Sequence, residues 1–108
     1  MQREISERDW KLLRELKPIA LERFCDRVLA ELAGVAGARD KNSHDRYLAV
    51  FDLIHRRNEE LSNAFDGLRR STALFQFAAM RSLGLVTDEE LARFSAETRE
   101  AVRLILGG

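Results

Sequence analysis

Apolar residues recur at steps of three and four along most of the chain, which is the spacing of amphipathic helices. The first such stretch covers about 7–33. Ser6 and Asp9 match the two ends of a capping box, and this predicts that the first helix begins directly after Ser6. Pro18 removes a backbone donor and crowds the preceding turn, so it predicts a kink. Gly34 is the predicted end of this helix, because glycine readily adopts the left-handed conformation of a helix cap.

The longest apolar stretch covers about 43–83 and carries two interleaved sevenfold series, which is typical of a coiled-coil-like seam. The first series is Tyr47, Ile54, Leu61, Leu68 and Phe75, and the second is Phe51, Asn58, Phe65, Thr72 and Ala79. Gly67 lies inside this stretch and weakens a helix. The apolar phase continues past Gly67, which favours one long helix that bends there. A break at Gly67 is the alternative.

The last helix is predicted over about 88–106. Thr87 and Glu90 form a complete capping box in front of its apolar stripe, and Gly84 fits a left-handed cap that ends the preceding helix. The sequence therefore predicts an all-α fold in a single domain, 1–108. It is a helical bundle with a long central helix, flanked by a Pro-kinked N-terminal helix and a C-terminal helix. If the chain breaks at Gly67, the alternative is a compact four-helix up-down bundle.

Composition and charge limit the partners and the cellular compartment that we expect for the protein. Eighteen basic and eighteen acidic side chains cancel, so no global field attracts nucleic acid or an anionic membrane, and we expect neither as a partner. No run approaches the ~20 apolar residues of a membrane span. The charged residues at the start do not resemble a secretory signal. Cys25 is alone, which agrees with a reducing cytoplasm, and it is most simply a small buried hydrophobe.

The second half of the long stretch carries apolar residues on more than one side. A helix that is apolar over most of its circumference needs neighbours all round. A second copy of the chain is the simplest source of such neighbours, because symmetric homodimers are the commonest soluble oligomers. We therefore expect a non-enzymatic protein that acts through protein–protein contacts, as a homodimer, with another protein as the alternative partner. The expected interface residues are Phe65, Leu68, Leu74, Phe75, Phe77 and Met80.

Two arginine pairs suggest a different class of function. Arg56 and Arg57, with Arg69 and Arg70, would suit a phosphate ligand or nucleic acid. Residues 43–84 contain six arginines and five acids, however, so the surplus of cations is only one. A binder that works by releasing counterions needs a patch of unpaired cations. This alternative is therefore weaker than the interaction protein.

A metal-dependent enzyme is the second alternative. Asp52, His55 and Glu59 share roughly one face of the predicted helix, and di-iron bundles use a carboxylate and a histidine at this i, i+3 spacing. Those bundles contain the motif twice, whereas here it occurs once. The sequence contains no nucleotide-binding loop and no set of residues that matches a catalytic site. We therefore expect no cofactor and no catalytic residue.

Overall fold

The computed structural model describes residues 4–108, and regular structure in them consists of five α-helices without a strand. The helices are α1 (Glu7–Ala36), α2 (Ser43–Phe65), α3 (Ala73–Ser82), α4 (Asp88–Ala92) and α5 (Ala96–Ile105). The predicted all-α fold is confirmed, and a helical bundle is consistent with it.

The first helix begins where the sequence predicts and ends slightly later. The Ser6 hydroxyl accepts the Asp9 N–H at 3.2 Å, which is the predicted cap, and α1 continues through Pro18. The predicted end at Gly34 is wrong. Gly34 does not adopt a left-handed conformation, and the helix ends three residues later, with Gly37 as its C-cap. The last turns of α1 are held by packing against α2, so the glycine alone does not end the helix.

The continuous helix over about 43–83 is the main incorrect prediction. Helix α2 ends at Phe65, α3 begins at Ala73, and Gly67 between them has a left-handed φ of 63°. The interruption at 66–72 has the length of one heptad, so it leaves the sevenfold spacing of apolar residues unchanged. For this reason the pattern could not distinguish a continuous helix from a broken one.

Side chains on both sides of the interruption hold it in place. The Gln76 amide N–H donates to the Asp66 carbonyl at 2.9 Å, which satisfies a carbonyl at the end of α2. Arg70 donates to the Glu7 carboxylate at 2.8 Å and to the Ile5 carbonyl at 3.1 Å. The turn between α2 and α3 is therefore tied to the start of α1.

The single C-terminal helix predicted over about 88–106 is also wrong, because α4 and α5 are separate. The buried Asp9 carboxylate accepts hydrogen bonds from the Ser95 N–H at 3.1 Å, the Ser95 hydroxyl at 2.6 Å and the Thr98 hydroxyl at 2.7 Å. Ser95 is the N-cap of α5, so this carboxylate lies at the positive end of a new helix. The Ser95 hydroxyl also accepts the Thr98 N–H, so a local cap begins α5 and the contact with α1 holds that cap in place.

The signals between α3 and α4 are confirmed. Gly84 has a left-handed φ of 75°, and the Leu85 N–H donates to the Met80 carbonyl at 3.0 Å, as a Schellman cap requires. The capping box of Thr87 and Glu90 is complete.

The core lies towards one end of an elongated molecule of 55 × 25 × 23 Å. In α1 no side chain after Phe24 is fully buried, and in α2 none before Leu53. The later part of α1 and the earlier part of α2 form a two-helix hairpin that projects from the core. The compact bundle of four similar helices is therefore not what forms. The core residues are Ile5, Leu13, Leu16, Ala20, Phe24, Ala64, Phe65, Ala73, Phe77, Ala78, Met80, Leu85, Val86, Phe94 and Val102.

Replacing Gly67 by alanine tests the break between α2 and α3. Alanine in a left-handed conformation is strained, so we expect Gly67→Ala to lower the free energy of unfolding by about 1 kcal/mol. Urea unfolding followed by circular dichroism measures the change. A continuous helix through this position predicts the opposite sign, because alanine exceeds glycine in helix propensity by about 1 kcal/mol.

The Asp9 carboxylate gives a prediction about stability and pH. Burial raises the pKa of Asp9, but the hydrogen bonds from Ser95 and Thr98 outweigh it and lower the pKa overall. Its contribution to stability is therefore fully present above the unfolded pKa of about 4 and is lost as the pH falls through the lower folded pKa.

At pH 7 we expect Asp9→Ala to lower the free energy of unfolding by about 2–4 kcal/mol, because the substitution leaves buried hydrogen-bond donors unpaired. The exposed Asp40→Ala is the matched control, with an expected change within about 0.5 kcal/mol. Urea titrations between pH 7 and pH 3 at one protein concentration measure both quantities. A cost for Asp9→Ala that does not shrink towards pH 3 would contradict this account.

Candidate interaction surface

The structure divides the six residues of the predicted interface. Phe65, Phe77 and Met80 are buried within a single chain. The Phe77 ring lies 4.4 Å from the Phe94 ring, and the Phe65 ring lies 6.2 Å from the Phe24 ring, measured between centroids. The break at 66–72 allows α3 to pack on the rest of the chain, which supplies neighbours that we expected from a second copy. These three side chains therefore belong to the core and are not accessible to a partner in this conformation.

The other three expected interface residues lie nearer the surface. Leu68 and Leu74 are partly buried and pack against the core, while Phe75 is exposed on α3. The homodimer itself stays a prediction, and of its six expected interface residues only Phe75 is exposed.

The largest exposed apolar side chains of α2 lie on the projecting hairpin. Tyr47 is 66% exposed and Phe51 is 61% exposed, and Leu48 and Ile54 are also exposed. Tyr47, Phe51 and Ile54 are the first members of the seam that the sequence predicts. The seam therefore exists, but its first half is uncovered in the single chain.

Charged residues are absent from this side of α2. A helix turns by about 100° per residue, and on that basis no Asp, Glu, Lys or Arg of α2 lies within about 60° of the direction of Phe51. The seven charged residues of α2 lie on its other sides. Asn58 and Ser62 continue the same uncharged strip towards the core. The exposed aromatic residues thus lie within an uncharged surface rather than singly among charges.

Helix α1 adds Leu29 to the same surface. An open groove on one side of the hairpin is lined by Glu31 and Gly34 of α1 and by Asp52 of α2. Leu29 lies on the opposite side of α1 from Gly34, and because α1 and α2 are antiparallel neighbours, that side adjoins the Phe51 side of α2. Leu29 is 63% exposed. We call this surface the hairpin face; it consists of Leu29, Ala33, Tyr47, Leu48, Phe51 and Ile54.

The sequence contained the signal for the hairpin face, but not the fact that it is exposed. Helix α2 buries Leu53 and Ala64 on the side that it turns into the chain, and neither residue belongs to the sevenfold seam. The side of α2 used inside the chain therefore differs from the seam by roughly 100° of rotation. Only the packing of α1 on α2 shows which of the two apolar sides is free.

Of the four arginines proposed for a phosphate or nucleic-acid ligand, Arg57 is held within the hairpin. It binds the two carboxylate oxygens of Glu31 at 2.9 and 3.0 Å and Glu60 at 3.1 Å. The hydrogen bonds with Glu31 raise the pKa of Arg57, and the same bonds lower the pKa of Glu31. Its charge is therefore compensated by acids of the chain itself.

The remaining three arginines do not combine into one open patch with Arg57. Arg70 is bound to Glu7 and to the main chain at the start of α1. Arg56 lines the open groove, and Arg69 is exposed in the turn that follows α2. Two of the four guanidinium groups are thus engaged in ion pairs, which reduces the unpaired positive charge available to an anion.

The residues proposed for a metal site are not brought together. Within residues 4–108, no group of three or more His, Cys, Asp or Glu side chains is placed so that it could hold a metal ion. The trio of Asp52, His55 and Glu59 therefore does not form a site. The His55 ring instead lies stacked near the Phe51 ring, with centroids 6.3 Å apart and 8° between the ring planes. His55 is thus a neighbour of the hairpin face.

Comparison of the chain with protein-family models, with characterised proteins and with solved structures gave no significant match. In the part of the chain that the structure describes, no helix has both the length and the apolar content needed to cross a membrane. Cys25 is half-buried and packs against the core, in agreement with its interpretation as a small hydrophobe.

Proposed function

We propose that this chain is a non-enzymatic cytoplasmic protein that works by association through the hairpin face, and that its partner is a second copy of itself. The observation that carries the proposal is the exposure of Tyr47 and Phe51 on the uncharged side of α2, together with the exposed Leu29 on the adjoining side of α1. A contiguous exposed apolar patch often marks an interaction site, whereas single apolar residues scattered over a surface do not.

The hairpin face has the area that a small dimer needs. A large side chain offers about 150–250 Å², so the exposed fractions of its five large residues amount to about 500 Å² per chain. Two copies that meet through this face would bury about 1,000 Å² before any polar rim is counted. Specific interfaces begin at about this size.

The fold does not by itself account for aromatic residues on the hairpin face. Tyr47 and Phe51 contribute nothing to the buried core, and α2 contacts α1 through its Leu53 side. Polar side chains at these two positions would leave the internal packing intact. A partner supplies a reason for apolar residues there, since each would gain about 1.5–3 kcal/mol from full burial.

Removing the aromatic residues of the hairpin face tests the proposal. We expect the wild-type chain to sediment as a dimer at tens of micromolar, and Tyr47→Ser/Phe51→Ser to sediment as a monomer with unchanged helix content. Phe75→Ser is the matched control, because Phe75 is equally exposed but lies on α3. Sedimentation equilibrium gives the masses and circular dichroism the helix content. A wild-type monomer, or a double variant that stays dimeric, would refute the proposal.

The two alternative functions have less support. Arg57 and Arg70 are bound to acids of the chain, so a phosphate or nucleic-acid module would depend chiefly on Arg56 and Arg69. Retention on heparin that falls steeply with salt would favour that module. The proposal of a metal-dependent enzyme has no support from residues 4–108, which contain no group of side chains placed to hold a metal ion.

A further inference from the structure

The two ends of the hairpin face carry opposite charges. Glu22 and Asp26 follow the line of Leu29 along α1 towards the core, while Arg39 and Lys41 lie at the tip of the hairpin, in the loop 37–42. All four are exposed, and none forms an ion pair or side-chain hydrogen bond with another residue of 4–108. Asp40 lies between the two basic residues and leaves the tip with a net charge of one.

The spacing of these charges suits a particular arrangement of two copies. Glu22 lies seven residues before Leu29, or about 10 Å along α1, and the end of α1 at Ala36 lies about 10 Å beyond Leu29 on the other side. If two hairpin faces meet antiparallel with Leu29 at the centre, Glu22 of each copy reaches the basic tip of the other. A parallel arrangement would bring the two basic tips together and would leave Glu22 and Asp26 without a basic partner, which is less favourable.

The apolar residues of α2 are centred at the same level along the hairpin as Leu29. Phe51 lies about 12 Å from the start of α2, at nearly the level of Leu29. A two-fold axis in the plane of the contact therefore places Phe51 near the partner's Phe51, and Tyr47 near the partner's Ile54. Such an axis pairs α1 with α1 and α2 with α2, so the two hairpins complete a four-helix bundle.

From these positions we propose that the second copy binds antiparallel on the hairpin face, with Glu22 and Asp26 of each chain opposite Arg39 and Lys41 of the other. This inference rests on the proposed self-association and adds its orientation and its selectivity. Each charge contact occurs twice in the dimer because the interface is symmetric. The charges select the antiparallel dimer, and the apolar residues supply most of its affinity.

Two charge-reversed chains test the orientation. We expect Glu22→Lys/Asp26→Lys and Arg39→Glu/Lys41→Glu each to self-associate at least about tenfold more weakly than the wild type, because like charges then meet at both ends. An equimolar mixture should form a one-to-one heterodimer of near wild-type affinity, because both of its contacts again join opposite charges. Glu59→Lys, an exposed charge on another side of α2, is the control and should dimerise normally.

The measurement is sedimentation equilibrium of each chain and of the mixture, with one chain carrying a fused tag so that heterodimers differ in mass. Variants that dimerise as the wild type does would overturn the antiparallel arrangement while the hairpin face, tested by the Tyr47 and Phe51 variants, still stands. Variants that weaken alone without recovering in the mixture would also overturn it. A wild-type monomer would overturn both the arrangement and the proposed function.

Cross-linking gives a second measurement that does not depend on the charge variants. In a Cys25→Ser background, Leu29→Cys lies near its own counterpart across the axis, and a short thiol cross-linker should give covalent dimers. Asn58→Cys lies on the same uncharged strip of α2 but about 20 Å from its counterpart, so it should stay uncross-linked. The reverse result would overturn the arrangement.

Discussion

The length of α1 is the constraint on which the rest of the structure depends. Its thirty residues extend about 45 Å, whereas the core includes its side chains only as far as Phe24. Arg27 and Val28 still reach the turn after α3 and the core, and the turns beyond them pack against α2, because α3, α4 and α5 are short and lie at the other end. A hairpin of two helices covers one side of each and leaves the others in solvent. The exposed hairpin face is therefore a direct result of where the core stops.

The compact end is held together by contacts from α1 to turns that are distant in the sequence. The Asp9 carboxylate binds Ser95 and Thr98 at the start of α5. Arg23 binds Glu90 and the Leu85 carbonyl, and its hydrogen bonds to Glu90 lower the pKa of that carboxyl to about 2. Arg27 donates to the carbonyls of Leu83 and Gly84, which lie at the end of α3. Carbonyls at helix ends lack intrahelical partners, and a planar guanidinium can serve two acceptors at once. This gives the abundance of arginine a structural role in joining the turns.

The apolar residues of α2 thus serve two different purposes. Leu53 is buried beside α1 within the hairpin and Ala64 belongs to the core, while Tyr47 and Phe51 are turned away from α1 and remain free. The charged residues of α2 all lie on its other sides, so the side that carries Tyr47 and Phe51 is uncharged. The chain keeps its fold without covering this side, and we interpret the uncovered side as the place where a second copy binds.

The sequence by itself determined the features that depend on neighbouring residues. The caps at Ser6, Gly84 and Thr87 were predicted correctly because each involves residues only a few positions apart, and the all-α class followed from the apolar spacing. Tertiary structure alone decided that the chain breaks at 66–72, because an interruption of one heptad preserves that spacing.

It also decided how the start of α5 is anchored, because the Asp9 carboxylate that binds the N-cap residue Ser95 lies 86 residues away in the sequence. The choice of the Leu53 side of α2 for the contact with α1 was decided in the same way, since two apolar sides were available to α2 and only packing selects between them. The candidate residues that the sequence grouped by spacing were consequently divided between core and surface.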